Sequence, residues 1–292
     1  METTLEKVAH LAMRLGARHL ADYGAVRSHH DFTQRQLMSC LILRAYLKAT
    51  YRGALEIIGA SGVLRRELGL EHRLPHFTTL QKFSGRSDVA AIAREMVATI
   101  GRAVVEAQPR SPGGARRREA AAMDSTGLSA GVASEYFRSR SGKKCRLWVK
   151  LSVMVWCGSL MPMALALDLG PSNDRRQAAT LLEQGRSVGR PRKLYADAGY
   201  DAEWIHRECR EKWGVESLIN PFRQRADGSR GGEWRAKMSR EHLKRRGYGK
   251  RWAVETFFSG LKRKVGGAIA ARRPVQMIAE AAFKVLAYTL FR

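Results

Sequence analysis

The sequence predicts an α/β fold in which a small all-α domain precedes a mixed sheet with packed helices. Residues 1–107 carry apolar side chains at three- and four-residue spacing, with few β-branched runs, which is the helical period. Residues 108–118 contain two prolines, two glycines and four arginines and predict a linker. Residues 119–292 then combine strand-like and helix-like segments, as expected for a sheet covered by helices.

Within the N-terminal domain the apolar spacing predicts two long helices and two short ones. They are Leu5–Tyr23, Phe32–Tyr51, 52–60 and Pro75–Phe83. The short helices are typical of a helix-turn-helix, in which the second helix would begin near Thr78 as N-cap and present polar side chains to DNA. Those side chains are Thr79, Gln81 and Lys82. A plain helical bundle has the same periodicity, so both interpretations stay open at this point.

The second domain begins with three predicted strands, of which the last two form a hairpin through the turn at 157–159. The strands are Glu119–Thr126, Leu147–Trp156 and Met161–Asp168. The later elements are a helix over Asp174–Gln184, a strand over Lys193–Asp197, a helix over Ala202–Lys212, a strand over Val215–Asn220 and a helix from Lys250 to Val265. The order β-β-β-α-β-α-β-α predicts a mixed sheet. The apolar segment Val275–Phe291 predicts a helix packed on the core or on another protomer.

Composition narrows the function classes. The 292 residues include 52 Lys and Arg against 27 Asp and Glu, a net charge of +25, which predicts a polyanionic partner and favours nucleic acid over a membrane surface. The four cysteines include no Cys-x-x-Cys pair, which argues against a disulfide scaffold and a zinc ribbon. No segment reaches the ~18 uninterrupted apolar residues of a membrane span. We therefore expect a cytoplasmic protein.

Two acids occupy equivalent places in the predicted sheet. Asp124 is expected to end the first strand and Asp197 the fourth, so that both carboxylates lie above the sheet edge where ligands of α/β proteins bind. A third acid is expected on the helix from Lys250, where a projection at 100° per residue places four polar side chains within about 60° of arc. They are Tyr248, Arg251, Glu255 and Lys262. The adjoining apolar stripe comprises Val254, Phe257, Phe258, Leu261 and Val265.

These residue types suit metal-dependent phosphodiester chemistry. Three carboxylates are hard ligands for two Mg²⁺ ions about 3.5–4 Å apart, which activate an attacking oxygen and stabilise a leaving one. Arg251 and Lys262 would hold DNA phosphates beside Glu255. Either aspartate alone also fits a turn or cap, and Arg251 with Glu255 fits a surface pair. The combination in a strongly basic chain favours the metal site.

A basic stretch leads into this helix. Residues 223–264 carry 14 Lys and Arg against 4 Asp and Glu, which favours a DNA track over a merely solvated face. Its cations near the candidate acids are Lys250, Arg263 and Lys264. Trp234 and Trp252 are candidates for stacking on an unpaired base and equally for core positions.

The acid motifs resemble those of the DDE transposases of bacterial insertion sequences, in particular the family numbered five and its relative numbered four. Asp124-Ser-Thr-Gly is similar to their first motif, and Asp197-Ala-Gly-Tyr is similar to their second. Their third motif is Tyr, two residues, Arg, three residues, Glu, six residues and Lys. Each interval is reproduced by Tyr248, Arg251, Glu255 and Lys262.

The resemblance implies a ribonuclease H-like catalytic core over 119–292, with residues 221–249 a basic excursion rather than a large inserted domain. It implies binding of double-stranded DNA at inverted-repeat ends and targets, cleavage by water and direct transfer of the 3′-hydroxyl end. Mg²⁺ or Mn²⁺ would be held by the acids Asp124, Asp197 and Glu255, and the DNA backbone by Tyr248, Arg251 and Lys262.

The resemblance also implies a homodimer or larger assembly on DNA in the bacterial nucleoid. Two alternatives stay open: a DNA-binding regulator that no longer cuts, and a ribonuclease H-like nuclease without strand transfer.

Overall fold

The computed structural model describes residues 3–25, 27, 30–107, 118–130, 148–222 and 231–292. The predicted linker lies outside these residues except for Arg118, and the predicted domain boundaries stay a prediction. The chain forms two compact units. The helical unit comprises Met1–Met96, Leu128–Val149 and Leu261–Arg292, and the sheet unit comprises Val97–Gly127 and Lys150–Gly260.

The elements follow the predicted order closely. The helices are α1 (Thr4–His19), α2 (Gln34–Leu47), α3 (Tyr51–Ala60), α4 (Gly62–Glu67), α5 (Phe77–Ser84), α6 (Val89–Ala107), α7 (Asp174–Val188), α8 (Glu203–Arg207), α9 (Glu233–Ala236), α10 (Arg240–Arg245), α11 (Trp252–Val265) and α12 (Pro274–Phe291). The strands are β1 (Ala121–Ala130), β2 (Val149–Trp156), β3 (Pro162–Leu169), β4 (Lys193–Ala196), β5 (Glu216–Ile219) and β6 (Ala268–Ile269). No helix among the described residues combines the length and the apolar character needed to cross a membrane.

Two fully enclosed helices form the centre of the helical unit. Residues 37–45 of α2 and 279–289 of α12 are buried without interruption, so each helix is covered around its whole circumference. α2 packs against α1, α3, α5 and α12. The predicted apolar C-terminal helix therefore belongs to a core of this chain.

The charges that these two helices bury are paired. Arg44 of α2 lies 3.8 Å from Glu280 of α12, and both side chains are less than a tenth exposed. Glu280 also accepts the backbone N–H groups of Ala270 and Ala271, and Lys284 donates to the carbonyl of Val265. Removing one member would leave a buried charge without its partner.

The start of α5 differs from the prediction. His76, in extended conformation, is the N-cap, and the helix begins at Phe77. Thr78 therefore lies in the first turn and is not the cap, because its hydroxyl is bonded to Nδ1 of His76 at 2.8 Å instead of to a helix amide. Of the predicted DNA contacts, Thr79 is half-buried, whereas Gln81 and Lys82 are exposed.

The described strands form a six-stranded sheet of order β3-β2-β1-β4-β5, with β6 paired to β1. β2 and β3 form the predicted hairpin, in which Trp156 donates to the carbonyl of Met161 at 3.0 Å. β4 pairs in parallel with β1 on one side and with β5 on the other. The α/β class, the mixed sheet and the order of its first five strands along the chain are confirmed, as is the helical region that precedes the sheet, whereas β6 was not predicted.

β1 is longer than predicted, which changes the position of one candidate acid. Asp124 lies within the strand and does not end it. Pairing with β4 stops at Met123↔Ala196, but the strand continues and pairs in parallel with β6 through Ser129↔Ala268 and Ala130↔Ile269. The first acid is therefore at the point where its neighbouring strand ends.

The segment before α11 is also more structured than predicted. The described part of 221–249 contains the short helices α9 and α10. Arg235 anchors α9 through a two-pronged bond to Asp201, which is buried. Tyr248–Arg251 forms a 3₁₀ turn, so the α-helix begins at Trp252 and not at Lys250, and the 100° projection does not apply to Tyr248 or Arg251.

One glycine of α6 tests how tightly this helix packs in the sheet unit. A Cβ at Gly101 would lie 2.9 Å from Cγ1 of Val188, 3.1 Å from the carbonyl oxygen of Pro162 and 3.2 Å from Cα of Met163. Two of these atoms belong to backbone, which cannot rotate away. We expect Gly101→Ala to lower the free energy of unfolding by about 1–3 kcal/mol despite the better helix propensity of alanine. Urea denaturation measures the difference.

The matched control is Gly62→Ala in α4, because a Cβ at Gly62 meets nothing within 4 Å. That variant is expected to keep or slightly raise stability. Equal effects of the two substitutions would contradict the close packing of α6.

Candidate active site

Two carboxylates lie side by side at the sheet edge. The parallel register pairs Met123 of β1 with Ala196 of β4, so Asp124 and Asp197 follow directly at the same level of neighbouring strands. Such strands are about 4.8 Å apart. Each aspartate uses Oδ1 to accept the N–H of the next residue at 2.7 Å, from Ser125 in one case and Ala198 in the other. The same local hydrogen bond, from the following backbone N–H, therefore fixes both side chains.

The environment of Asp124 disfavours its negative charge. Burial is the largest influence, and the neighbouring carboxylates of Asp197 and Asp174 act in the same direction. The backbone N–H of Ser125 and the guanidinium of Arg251 act in the opposite direction. The net result raises the pKa of Asp124 from 3.8 to about 6.

Arg251 connects Asp124 to the third predicted acid. Its guanidinium lies 3.3 Å from Oδ2 of Asp124 and 2.5 Å from Oε1 of Glu255. The Asp124 side chain is 20% exposed and that of Glu255 is 40% exposed. One turn earlier, Tyr248 donates its hydroxyl to the carbonyl of Ala196 at 2.9 Å and packs edge-on against Tyr195. The four residues converge on the end of β4.

The structure brings the predicted acids together only in part. Asp124 and Asp197 are neighbours, whereas Glu255 reaches Asp124 through the Arg251 guanidinium. Among the described residues there is no group of three His, Cys, Asp or Glu side chains close enough to share one metal ion. The three acids therefore share one region of the sheet unit without forming a closed cage.

The remaining predicted residues of α11 follow the helical pattern. The apolar stripe is buried throughout and comprises Val254, Phe257, Phe258, Leu261 and Val265. Lys262 is half-buried and lies two turns after Glu255. Arg263 is exposed, and its carbonyl accepts from Lys48 at 3.0 Å. Lys264 lies over the rings of Tyr46 and Phe291, so its charge is engaged within the helical unit.

Sequence analysis missed a buried network beside Asp124. Oδ1 of Asp174 accepts the hydroxyl of Ser125 at 2.5 Å and lies 2.6 Å from the ammonium of Lys150, which also donates to the carbonyl of Ser172. Lys150 is only 5% exposed. A lysine inside the otherwise apolar run of β2 was the available signal, because such a lysine is buried only when it is paired.

The two candidate tryptophans differ. The Trp234 ring is contacted by two cations, the Arg210 guanidinium at 4.5 Å and the Lys237 ammonium at 4.1 Å from its centroid. Trp252, at the start of α11, is 70% exposed. Of the two rings, Trp252 is therefore the better placed to stack on a base.

Comparison with known proteins gave one family. The model described as "Transposase DDE domain" matches residues 115–290. The comparison with curated proteins and the comparison with solved structures gave no match. The matched range contains all three candidate acids and the network around Asp174.

The raised pKa of Asp124 predicts the pH dependence of stability in the metal-free protein. An acid with a raised folded-state pKa contributes stability that is full below pH 3.8 and is lost as the pH rises through about 6. Asp124→Asn should therefore be more stable than the wild type at pH 8, by about 1–3 kcal/mol, with the advantage disappearing near pH 4. Urea denaturation in the presence of a chelator measures this.

Asp88 provides a control in which the pKa is shifted in the opposite direction. The Arg86 guanidinium holds the pKa of this carboxyl below its usual value. Its contribution to stability is therefore present at neutral pH and lost as the pH falls. Asp88→Asn should be less stable than the wild type at pH 7 and approach it in acid. A pH-independent difference for Asp124→Asn would contradict the electrostatic account.

The ion pair of Lys150 with Asp174 predicts that substitutions of these two residues have non-additive effects on the free energy of unfolding. Lys150→Met removes the buried cation and leaves Asp174 charged beside the acid pair, which we expect to cost about 1–3 kcal/mol of stability. Adding Asp174→Asn removes the uncompensated charge and should restore part of this loss, a non-additive result measured by a double-mutant cycle. Strictly additive effects would show that the two side chains are not coupled.

Proposed function

Since the chain belongs to the family of transposase DDE domains, we propose that it is the transposase of an insertion sequence. In this proposal it binds the inverted-repeat ends of the element, cleaves a DNA strand with water and joins the 3′-hydroxyl end to target DNA. The family match over residues 115–290 supports the transposase. The particular insertion-sequence family and the individual steps are part of the proposal.

The placement of Asp124 and Asp197 is the observation that carries the proposal. Parallel neighbouring strands hold the two carboxylates at one level, with Tyr248, Arg251 and Glu255 on the adjoining turn and helix. The cluster combines acids for a cation with cations for a phosphate in the same small region. Phosphodiester cleavage needs both.

The donor set fits a hard divalent cation. Asp124 and Asp197 offer carboxylate oxygens from rigid backbone, and a cation between them would offset the burial and the repulsion by Asp197 that raise the pKa of Asp124. We propose Glu255 as the third ligand. When two Mg²⁺ or Mn²⁺ ions are bound, they supply a Lewis acid and lower the pKa of an attacking water or hydroxyl.

The chain itself binds and orients the DNA in this proposal. Arg251 donates a planar pair of N–H groups and is already held by Asp124 and Glu255, so it is preorganised for a phosphate next to the acids. Tyr248 is fixed against β4 and limits where the strand can lie. The Lys150–Asp174–Ser125 network keeps Asp124 in place, because Ser125 is the residue whose amide Asp124 accepts.

We assign further DNA contacts to basic and polar side chains on both units. Near the acids these are Lys250, Lys262, Arg263 and Lys264, and in the N-terminal helices they are Thr79, Gln81 and Lys82. The exposed positions among them are Lys250, Arg263, Gln81 and Lys82. A homodimer or larger assembly on paired DNA ends in the nucleoid completes the proposal.

The proposal predicts the effect of removing the third acid. Glu255→Gln keeps the size and the contact with Arg251 but removes the negative charge. We expect metal-dependent cleavage and 3′-end joining to fall by about 10²–10⁴-fold, since a metal contributes several kcal/mol to the transition state. DNA binding should be retained. The assay uses labelled ends of the parent element with Mg²⁺ or Mn²⁺.

The control is Glu233→Gln, which removes an exposed carboxylate on α9 and should leave activity unchanged. Binding without cutting by the wild type would favour the regulator, and cutting without joining would favour the nuclease. Activity unaffected by Glu255→Gln would remove that residue from the catalytic set.

A further inference from the structure

The sheet unit contains a basic cavity of about 1020 Å³, and Lys250 is the only one of its cations to which the proposed function assigns a DNA contact. Among the described residues, its lining brings together six cations and a single acid, Glu119. The cations are Arg118, Arg192, Lys193, Arg245, Arg246 and Lys250. The volume is at the upper limit of the roughly 300–1,000 Å³ typical of ligand pockets, so the cavity can take more than a simple ion.

The cavity lies on the same face of the sheet as the two aspartates. Side chains alternate along a strand, so Lys193 and Tyr195 of β4 share one face, and Asp197, the extended residue directly after the strand, continues the alternation. Lys193 and Tyr195 line the cavity, and Asp197 belongs to the acid pair. At about 3.3 Å per residue, the path from Lys193 to Asp197 is about 13 Å. The cavity and the acids are therefore two stations along one surface.

Most of the positive charge in the cavity is uncompensated. Arg246 forms an ion pair with Glu216, and Lys193 donates to the carbonyl of Arg246. The other four cations are exposed, and no acid among the described residues forms an ion pair with them. Burial lowers the pKa of Lys193. Repulsion by Arg246, Arg192 and Lys250 lowers this pKa further, and Glu216 opposes the shift.

A DNA strand matches this arrangement better than a small anion. A DNA strand carries one phosphate at every nucleotide, so a strand that runs over about 13 Å of this surface presents more than one phosphate to it. A strand cut at the acids would carry its phosphates over the cavity at this distance. Several separate cations would then each face a phosphate, which suits a polyanion rather than one compact group.

We propose that the basic cavity is a second DNA station, which holds the backbone of the cleaved strand a few nucleotides from the scissile phosphodiester. This inference rests on the proposed function, because the acids set the position of the scissile bond. Arg192 and Arg245 are its main contacts, and the station positions the strand without taking part in the reaction.

The test uses oligonucleotide duplexes of the element end that extend 0, 2, 4, 6 or 8 nucleotides beyond the cut, on either strand. For the full-length wild type, KM should fall about tenfold over the first few nucleotides of extension and then level off, with kcat unchanged. The double variant Arg192→Gln, Arg245→Gln should lose this gain. The slope of log affinity against log salt should also decrease by about 0.7 for each lost cation.

Arg207→Gln is the matched control, because Arg207 is an exposed arginine of the sheet unit outside the cavity. It should retain both the length dependence and most of the salt slope. Thermal unfolding of each variant checks that the fold is kept.

The outcomes separate the two proposals. A wild type that cuts DNA without any gain from extension, or variants that match the control, would overturn the second station and leave the proposed function intact. A wild type that binds but never cuts would overturn the proposed function. In that case a length-dependent gain in affinity that Arg192→Gln, Arg245→Gln abolishes would still support the cavity.

Discussion

The parallel pairing of β1 with β4 is the constraint on which the candidate site depends. Its register sets Asp124 beside Asp197, and a slip of one residue would move every side chain of one strand to the opposite face. Packing prevents that slip, because Leu194 and Ala196 are fully buried in the core of the sheet unit. A hydrophobic pattern on one face thereby determines the geometry of carboxylates on the other.

Acidic and basic side chains of the sheet unit lie at different places on its surface, although the whole chain has a net charge of +25. Negative charge is concentrated at Asp124, Asp197 and Asp174, and the cations that contact it, Lys150 and Arg251, approach from different elements. Each is tied by hydrogen bonds, so its position changes little when a substrate arrives. The cavity cations that form no ion pair with a described acid lie farther along the same face. The surface therefore changes from acidic to basic along its length.

Local periodicity predicted the order of the strands along the chain, the buried stripe of α11 and the positions of the two aspartates, because each depends on residues near one another in the sequence. It could not predict features decided by distant partners. β1 passes Asp124 because β6, about 140 residues later, pairs with its second half. Lys150 is buried because it forms an ion pair with Asp174 on another element. The start of α5 differs for a local reason, because His76 and not Thr78 is its N-cap. How Glu255 and the DNA contacts work stays a prediction.

The enclosed position of α12 has a consequence for synthesis on the ribosome. α2 is completed by a helix that emerges more than 220 residues later, so its apolar surface has no final cover until that helix leaves the exit tunnel. At about 5–20 residues per second the delay is roughly 10–50 s. During this time the nascent N-terminal helices expose apolar surface to which chaperones can bind. Premature termination anywhere in the sheet unit would therefore also leave the helical unit unfinished.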